Sequence, residues 1–463
     1  MPSSNQALII HPWAGGLDTT KAPTLLDPSS LVTATNIEYD TSGARKKRLG
    51  TARYNATATS ATDTFTALAE HWRFGTSLTP TQKFVGHAGT DIYRDDLDGT
   101  WDSIKSSWGS NTSNVHITIA QGHAVFSNDN GDAPQRWDQT TMSDLTGTGL
   151  PEFEACVYHL RRLWTIGEQT AISGSANPSR TTYSAAGDIT DFTGGDTSNF
   201  IFDEDDGDRL IGLSRPFHNR LYFFKGPIHG SIHEITGTTS STFARNKIHS
   251  GVPCVSHGGI ITTPNDIYWV SPFGIHSLTT TINYGDTEEK FLSRPIQETY
   301  RNLNLSRLAQ VRGFHHPSRN IVGWAVPEAG QTQNTLVLVY NYALGLWSTW
   351  DFTGFNAASF MVSMTPSTRK PRLYVGGYAG RVYAGDQATL SDENADQAYD
   401  ARIKTPVLMK LSDTATELHE KIFTSVTTFF RPKGDHDADL TITVDRRSQT
   451  ATVSMAGEGD TLG

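Results

Sequence analysis

The sequence predicts an all-β protein, a β-propeller of six or seven blades with a small C-terminal β-sandwich. The main observation is a short unit that recurs along the chain, most clearly at residues 83–93 and 373–383, which align without a gap. Each copy is an aromatic or β-branched strand, a Gly-rich turn and a second strand that ends in an aromatic residue, which is the pattern of a β-hairpin. Repeated units of this size indicate a solenoid, a propeller or an array.

Clusters of strand-forming residues recur between residues 65 and 386. Successive clusters start 32 to 58 residues apart, and a four-stranded propeller blade takes about 40 to 50 residues. If every cluster is a blade, the propeller has seven blades. If the first and last clusters belong to one blade, formed jointly by the two ends of the chain, it has six. The clusters carry Ile92-Tyr93, Ala124-Val125-Phe126, Leu163-Trp164, Leu221-Tyr222, Ile267-Tyr268, Ile321-Val322 and Leu373-Tyr374.

Three regions follow from these patterns. Residues 1–51, rich in Gly, Pro, Asp and Thr, form an N-terminal segment that completes the propeller or contacts neighbours. Residues 52–386 form the propeller, with one short helix predicted over 294–303 because proline suits the first turn of a helix. Residues 387–463 form an acidic linker and a small β-sandwich, with strands expected at 422–430 and 440–444.

The composition restricts the classes of function. The chain has 463 residues with 38 Lys and Arg against 48 Asp and Glu, a net charge of −10, which is not the footprint of a protein that grips nucleic acid broadly. It has no run of about 18 apolar residues and no basic start followed by an apolar stretch, so we expect neither a transmembrane helix nor a secretory signal. Cys156 and Cys254 lie in apolar, strand-like settings and are predicted to be buried free thiols.

The candidate contact residues are the basic run Arg45, Lys46, Lys47 and Arg48. This run follows the turn signal Asp-Thr-Ser-Gly at residues 40–43. A solvated hairpin is the favoured interpretation, and contact with DNA phosphates or with a protein partner is the functional alternative.

The densest charge run is acidic and covers residues 203–208. Oxygen ligands around a Gly turn are able to hold calcium, but no glutamate stands at the twelfth position and the flanks are strands. An acidic solvated turn is therefore favoured over a metal site, and no metal or cofactor is predicted.

No motif in the sequence points to catalysis. It has no Gly-x-Ser-x-Gly elbow and no phosphate-binding loop. Residues 96–101 partly match the Asp-box turn of sialidase-like propellers, which is a structural turn. The groupings His315-His316 and His229, His233 and His249 lack the helical spacing of a zinc site. The chain is therefore predicted not to be an enzyme.

Three stretches together resemble the β-propeller tail proteins of tailed bacteriophages, most nearly the hub or nozzle proteins of short-tailed phages. The first stretch is the most distinctive and ends in Gly-Ala-Arg-Lys-Lys-Arg-Leu-Gly. The stretches comprise residues 15–27, 34–40 and 43–50, then 258–260, 266–270 and 273–278, then 336–341, 346–350 and 380–383.

This resemblance implies a structural virion protein at the distal end of the phage tail. Such a protein forms a homohexameric ring, contacts the portal adaptor ring above and tail fibres or spikes at its side, and retains packaged double-stranded DNA until it conducts the genome during ejection. It assembles in the cytoplasm of the bacterial host and has no active site to carry over. An acidic lumen would let DNA pass with little friction.

Two alternatives from other classes remain open, because propellers host many functions. One is a receptor-binding tail protein whose exposed Trp and Tyr residues stack on sugars. The other is a propeller enzyme that degrades host glycans, for which the partial Asp-box and the abundant aromatic residues speak. Binding of polysaccharide without turnover would mark the first, and release of sugars would mark the second.

Overall fold

A computed structural model of the protein describes residues 15–40, 43–74, 79–147, 149–170, 176–279, 291–364, 369–387, 391–393, 397–406, 437–444 and 447–454. Chain contacts divide the protein into two units, residues 1–408 and 409–463. The first unit is a seven-bladed β-propeller, so the all-β class and the propeller predicted from the sequence are confirmed, while the C-terminal β-sandwich stays a prediction.

Blades 1 to 4 are antiparallel four-stranded sheets whose strands follow one another in the chain. Blade 1 contains β7 (Phe65–Phe74), β8 (Pro80–Ala88), β9 (Asp91–Asp95) and β10 (Trp101–Lys105). Blade 2 contains β11 (His116–Ala120), β12 (His123–Ser127), β13 (Gln135–Trp137) and β14 (Met142–Asp144). Blade 3 contains β15 (Phe153–His159), β16 (Arg162–Glu168), β17 (Arg180–Tyr183) and β18 (Ser198–Ile201). Blade 4 contains β19 (Arg209–Leu213), β20 (Leu221–Gly226), β21 (Ser231–Thr236) and β22 (Ala244–Ser250).

Blades 5 to 7 depart from this plan. Blade 5 contains β23 (Ile261–Thr262), β24 (Ile267–Val270) and β25 (Ile275–Ser277). Blade 6 contains β26 (Arg312–His316), β27 (Ile321–Val326), β28 (Leu336–Asn341) and β29 (Leu346–Trp350), extended by β3 (Thr33–Thr35) and β35 (Arg402–Lys404) to six strands. Blade 7 contains β30 (Ser359–Met364), β31 (Pro371–Gly376), β32 (Val382–Gln387) and β6 (Gly50–Arg53).

Short elements complete the described part of the propeller. They are β1 (Gly16–Leu17), β2 (Ser30–Leu31), β4 (Ile37–Tyr39), β5 (Arg45–Lys47), β33 (Ser391–Asp392) and β34 (Gln397–Ala398). The helical segments are the 3₁₀ turns His257–Gly259, Arg294–Ile296, Leu305–Gln310 and Pro317–Arg319, and the helix α1 (Gln297–Arg301). The helix predicted over 294–303 therefore exists as a 3₁₀ turn followed by α1.

The blade number follows from the hydrophobic cores. Among the residues that the structure describes, seven buried clusters occur, and each lies between two adjacent blades, including one between blade 7 and blade 1. That last cluster packs Phe65 and Phe84 of blade 1 against Tyr374 and Val382 of blade 7. Seven interfaces close a ring of seven blades, so the six-blade alternative is wrong: the first cluster of the sequence has a blade of its own.

The N-terminal segment closes the ring. Strand β6 pairs antiparallel with β32, with Arg53 opposite Tyr383 and Ala52 opposite Ala384, and so supplies the outer strand of blade 7. The preceding strand β3 adds to blade 6, where Thr35 pairs in parallel with Thr349. The N-terminal segment thus supplies the fourth strand of blade 7 and pairs the edge of β32.

A buried ion pair fixes the segment that leads into β6. Arg48 is 1% exposed and its guanidinium donates to Asp392, with Nη1–Oδ1 at 2.9 Å and Nη2–Oδ2 at 2.5 Å. It also donates to Oδ1 of Asn36 at 2.9 Å and lies 3.9 Å from the ring centroid of Tyr399. Bidentate geometry and several donors used at once are the conditions under which a buried pair is tolerated.

The second unit is described over one hairpin, β36 (Asp437–Val444) and β37 (Arg447–Ser454), which pair antiparallel. The strand expected at 440–444 lies within β36, and the strand expected at 422–430 lies outside the described residues. Among the described residues, no helix is long and apolar enough to cross a membrane.

Loss of the Arg48 side chain is expected to destabilise the propeller strongly. The change Arg48→Met leaves the Asp392 carboxylate buried without its cation, so we expect the free energy of unfolding to fall by about 3–5 kcal/mol in urea titrations followed by tryptophan fluorescence. The control is Arg53→Met at the more exposed pair with Glu393, where about 1 kcal/mol or less is expected. Equal losses in the two variants would contradict this assignment.

Candidate functional site on the propeller axis

Polar side chains from opposite blades meet on the axis of the ring. The inner strands of the blades surround this axis, and His116 and Arg312 are the first residues of the inner strands β11 and β26. In blade 5 the 3₁₀ turn His257–Gly259 packs against β19 and β26 and brings His257 to the same place. We name Arg215, Arg312, His116 and His257 the axial cluster.

The axis is bridged at two points. The rings of His116 in blade 2 and His257 in blade 5 stand edge to face with centroids 4.4 Å apart. Nη2 of Arg312 in blade 6 donates to Oδ1 of Asn114, just before blade 2, at 3.0 Å. Blades 2 and 5, and likewise blades 6 and 2, are three positions apart in a ring of seven, so both contacts span the axis.

The imidazole of His257 is held in one tautomer. Its Nδ1 accepts the backbone N–H of Leu213 at 3.1 Å, which leaves Nε2 to carry the proton of the neutral ring. Burial, followed by the positive charges of Arg312 and Arg215, lowers the pKa of His257 to about 3. Burial and the neighbouring His257 also hold the pKa of His116 well below its usual value. At neutral pH both rings are therefore uncharged.

Arg215 follows the inner strand of blade 4 and retains exposed surface. Its charge nevertheless acts on Glu70 in blade 1, His257 in blade 5 and His315 in blade 6, which is consistent with a side chain that projects towards the axis. Partial desolvation inside the ring lowers the pKa of the guanidinium, and the carboxylate of Glu70 opposes that shift. Among the described residues, Arg215 has no hydrogen bond and no ion pair within 4.0 Å.

A glycine makes room for Arg312. A Cβ atom at Gly258 would lie 2.5 Å from Cδ and 2.8 Å from Nη1 of Arg312. The guanidinium donates Nη1 to the carbonyl oxygen of Val311 at 3.2 Å, and burial lowers its pKa. No carboxylate in the described part of the chain lies within 4.0 Å of it, so a largely buried cation is held by neutral acceptors.

The basic run proposed from the sequence forms strand β5 of a hairpin with β4. Lys46 is 51% exposed and pairs with Glu38 at 3.3 Å. Arg45 and Lys47 lie on the other face, over the rings of Tyr39 and Tyr399, while Arg48 is the buried ion-pair residue described above. Lys46 is therefore the most exposed member of the run, and Arg48 is buried in this chain; contact of the run with DNA or a partner stays a prediction.

The acidic run at residues 203–208 surrounds a cation of the protein itself. Lys225, fully buried in β20, donates Nζ to the carbonyl oxygens of Phe202 and Asp203 and to Oδ1 of Asp206. Asp208 is 6% exposed and accepts three consecutive backbone N–H groups, from residues 228–230. The predicted solvated turn is thus partly wrong, because the run is folded inward around an ammonium group.

The other sequence candidates take structural places. Asp95, beside the partial Asp-box, caps its turn by accepting N–H groups of Leu97 and Gly99, and Trp101 packs on Phe65. In the described part of the chain, no group of three or more His, Cys, Asp or Glu side chains is arranged to hold a metal ion. Cys156 and Cys254 are buried free thiols, as predicted, and burial raises the pKa of each to about 12.

Sequence reasoning missed the axial cluster. Its members come from four blades and lie up to 196 residues apart, and none belongs to a motif. The available signal was that His116 and Arg312 begin inner strands. This position indicates proximity to the axis only when the closed ring is known.

Comparisons with known proteins support no function. No protein-family profile and no curated protein matches the chain. Among solved structures, it is similar to virginiamycin B lyase from Staphylococcus aureus at 12% identity and a TM-score of 0.42, over 70% of this chain and 95% of that one. It is also similar to YCF48 from Cyanidioschyzon merolae at 10% identity and a TM-score of 0.42, over 73% and 98%. A third similarity, to YCF48 bound to a D1 peptide, has 12% identity and a TM-score of 0.29, over 44% and 74%.

Removing the internal cation of the acidic run is expected to destabilise blade 4. The change Lys225→Met leaves two carbonyl oxygens and Asp206 without their donor, so we expect a loss of roughly 3 kcal/mol in the free energy of unfolding. Lys247→Met is the control, because it removes a half-exposed partner of Asp203 in the same cluster and should cost about 1 kcal/mol or less. Thermal melts with and without calcium test the calcium interpretation, and a calcium-dependent rise in Tm would restore it.

Stability is expected to fall as the pH is lowered from about 6.5 towards 4. Burial lowers the pKa of His87 and His233 to about 4 and that of His257 and His276 to about 3. Since the unfolded chain binds protons near pH 6.5 and the folded one does not, each group removes up to about 1.4 kcal/mol per pH unit in this window.

Urea titrations between pH 7.5 and 4.5 measure this dependence. His87→Gln should make it shallower, because Gln keeps hydrogen-bonding capacity beside Thr66 and Trp108 without titrating. His218→Gln, at an exposed imidazole, is the matched control. A stability that stays constant over this pH range would contradict the assignment of neutral buried histidines.

Proposed function

We propose that this protein is a structural component of a short-tailed phage, a tail hub or nozzle that forms a ring at the distal tail. In this proposal the ring retains packaged DNA, conducts it during ejection, and anchors fibres or spikes beneath the portal adaptor. The proposal begins from the three stretches of sequence that resemble such proteins.

The observation that carries the proposal is the convergence of those stretches. All three contribute to one hydrophobic cluster between blades 5 and 6. The first stretch supplies Leu17 and Ala34, the second supplies Tyr268, Val270 and Ile275, and the third supplies Leu338 and Trp347. The resemblance therefore follows one packed module, made of the N-terminal segment and two blades, which supports a shared architecture over a chance match of scattered motifs.

The bridged axis bears on how such a ring would work. The major groove of a DNA duplex alone admits an α-helix of about 10 Å diameter, whereas His116 and His257 stand 4.4 Å apart across the axis. DNA would therefore pass between protomers and not through a propeller. The expectation of an acidic lumen then concerns the surface that protomers turn towards the tail axis.

Assembly of the full chain is the test of the proposed function. We expect sixfold rings with a central channel in negative-stain electron microscopy of the purified protein, alone or mixed with portal–adaptor complexes of the virus that encodes it. Mass photometry should give a species of six times the monomer mass. A protein that stays monomeric in both conditions, or that releases sugars from host polysaccharide, would overturn the proposal in favour of a glycan-directed function.

The exposed lysine of the basic run offers a matched pair of variants. We expect Lys46→Glu to weaken ring assembly or adaptor binding, and Lys105→Glu to leave them unchanged. Both lysines form one ion pair at 3.3 Å, but Glu38 is buried and also pairs with Arg319, whereas Asp144 is half-exposed. The free energies of unfolding of the two variants are therefore compared first, and assembly is compared under conditions in which both are folded. Equal assembly of the two variants would remove the basic run as a partner contact while leaving the ring itself untouched.

A further inference from the structure

We propose that the axial cluster of Arg215, Arg312, His116 and His257 binds a small oxyanion, such as a free phosphate or carboxylate. This inference concerns the interior of one propeller and does not depend on the proposed tail function.

The geometry supplies donors from several directions. His257 turns Nδ1 to the backbone N–H of Leu213, so its Nε2–H is free of that contact and available to an acceptor. Arg312 uses Nη1 and Nη2 on the oxygens of Val311 and Asn114, and a guanidinium has five N–H donors in all. Donors of His257 and Arg312 thus lie side by side from blades 5 and 6, and the charge of Arg215 from blade 4 acts on the same imidazole.

Internal carboxylates do not neutralise the cluster directly. The carboxylate whose charge acts on Arg215 is that of Glu70. Its Oε2 already accepts hydrogen bonds from Ser363 at 2.7 Å and from Gln82 at 3.1 Å. The charge of Asp129 acts on Arg312, but its oxygens accept from the backbone N–H and Nδ2 of Asn114. In the described part of the chain, neither carboxylate approaches a guanidinium of the cluster within 4.0 Å.

The pKa shifts of the axial cluster indicate that no negative charge compensates its positive charges. The pKa values of both guanidinium groups and both imidazoles of the cluster are lowered, chiefly because burial opposes positive charge there. An oxyanion bound among them would reverse that opposition, since an opposite charge nearby favours the charged form. Planar guanidinium forks bind carboxylate and phosphate with two parallel hydrogen bonds.

The experiment uses the full chain and inorganic phosphate as the probe. Isothermal titration calorimetry and thermal melts are run in chloride of matched ionic strength, with acetate as a second probe. Because phosphate also stabilises proteins by general exclusion from their surface, the result is the difference between variants at the same phosphate concentration. The variants are Arg215→Gln, Arg312→Gln and the control Arg307→Gln, at an exposed residue of the turn Leu305–Gln310.

We expect wild type and Arg307→Gln to bind phosphate alike, and Arg215→Gln and Arg312→Gln to bind it about tenfold more weakly or worse, as loss of a charged hydrogen bond implies. Arg215→Gln keeps the test valid if Arg312→Gln fails to fold, because Arg215 makes no hydrogen bond to described residues. A response to phosphate over acetate assigns a dianion site, and equal responses assign a carboxylate-type site. Absence of binding to wild type, or equal binding in all variants, would overturn the inference.

Discussion

The pairing of Gly50–Arg53 with the last strand of blade 7 is the contact on which the rest of the propeller depends. Few residues of the two strands are paired, so this strand pairing alone would hold the ring closed only weakly. The ion pair of Arg48 with Asp392 reinforces it, because it connects the N-terminal segment to β33 beyond blade 7. When the ring is closed, blade 7 packs against blade 1, so seven hydrophobic interfaces between blades form instead of six. Neither of these blades then exposes an apolar face to solvent.

Closure also explains why charged residues collect at the axis. Inner strands of neighbouring blades approach closely, and the hydrophobic side chains of each blade are turned sideways into the interfaces between blades. The side chains that remain point to the axis, where the opposing residues come from distant parts of the chain. Buried polar groups there must find partners in other blades: Arg312 donates to Asn114 across the ring, and His257 accepts from Leu213 of the neighbouring blade.

Much of the fold was predictable because each blade repeats a local pattern. Strand-forming clusters such as Leu163-Trp164 and Ile321-Val322 coincide with the second strands of blades, which are buried along their whole length and are therefore marked by runs of apolar and β-branched residues. Ring closure was less accessible, since a four-residue strand such as β6 carries almost no periodic signal. The axial cluster was inaccessible, because its contacts join residues such as His116 and His257 that nothing local relates. The acidic run was misjudged because its cation, Lys225, lies on a later strand.

Strand geometry decides what a charge run means. Along β5 the side chains alternate between two faces, so Lys46 points to solvent while Arg45 and Lys47 cover the rings of Tyr39 and Tyr399. Arg48 follows the end of β5 and turns inward to Asp392. Each phosphate contact contributes about 0.9 to the salt dependence of DNA binding. If the basic run contacts DNA as proposed, its one exposed lysine would therefore give weak, readily broken contacts. For a protein that is proposed to hold DNA and then release it, such contacts fit better than the tight clamp that four exposed cations would form.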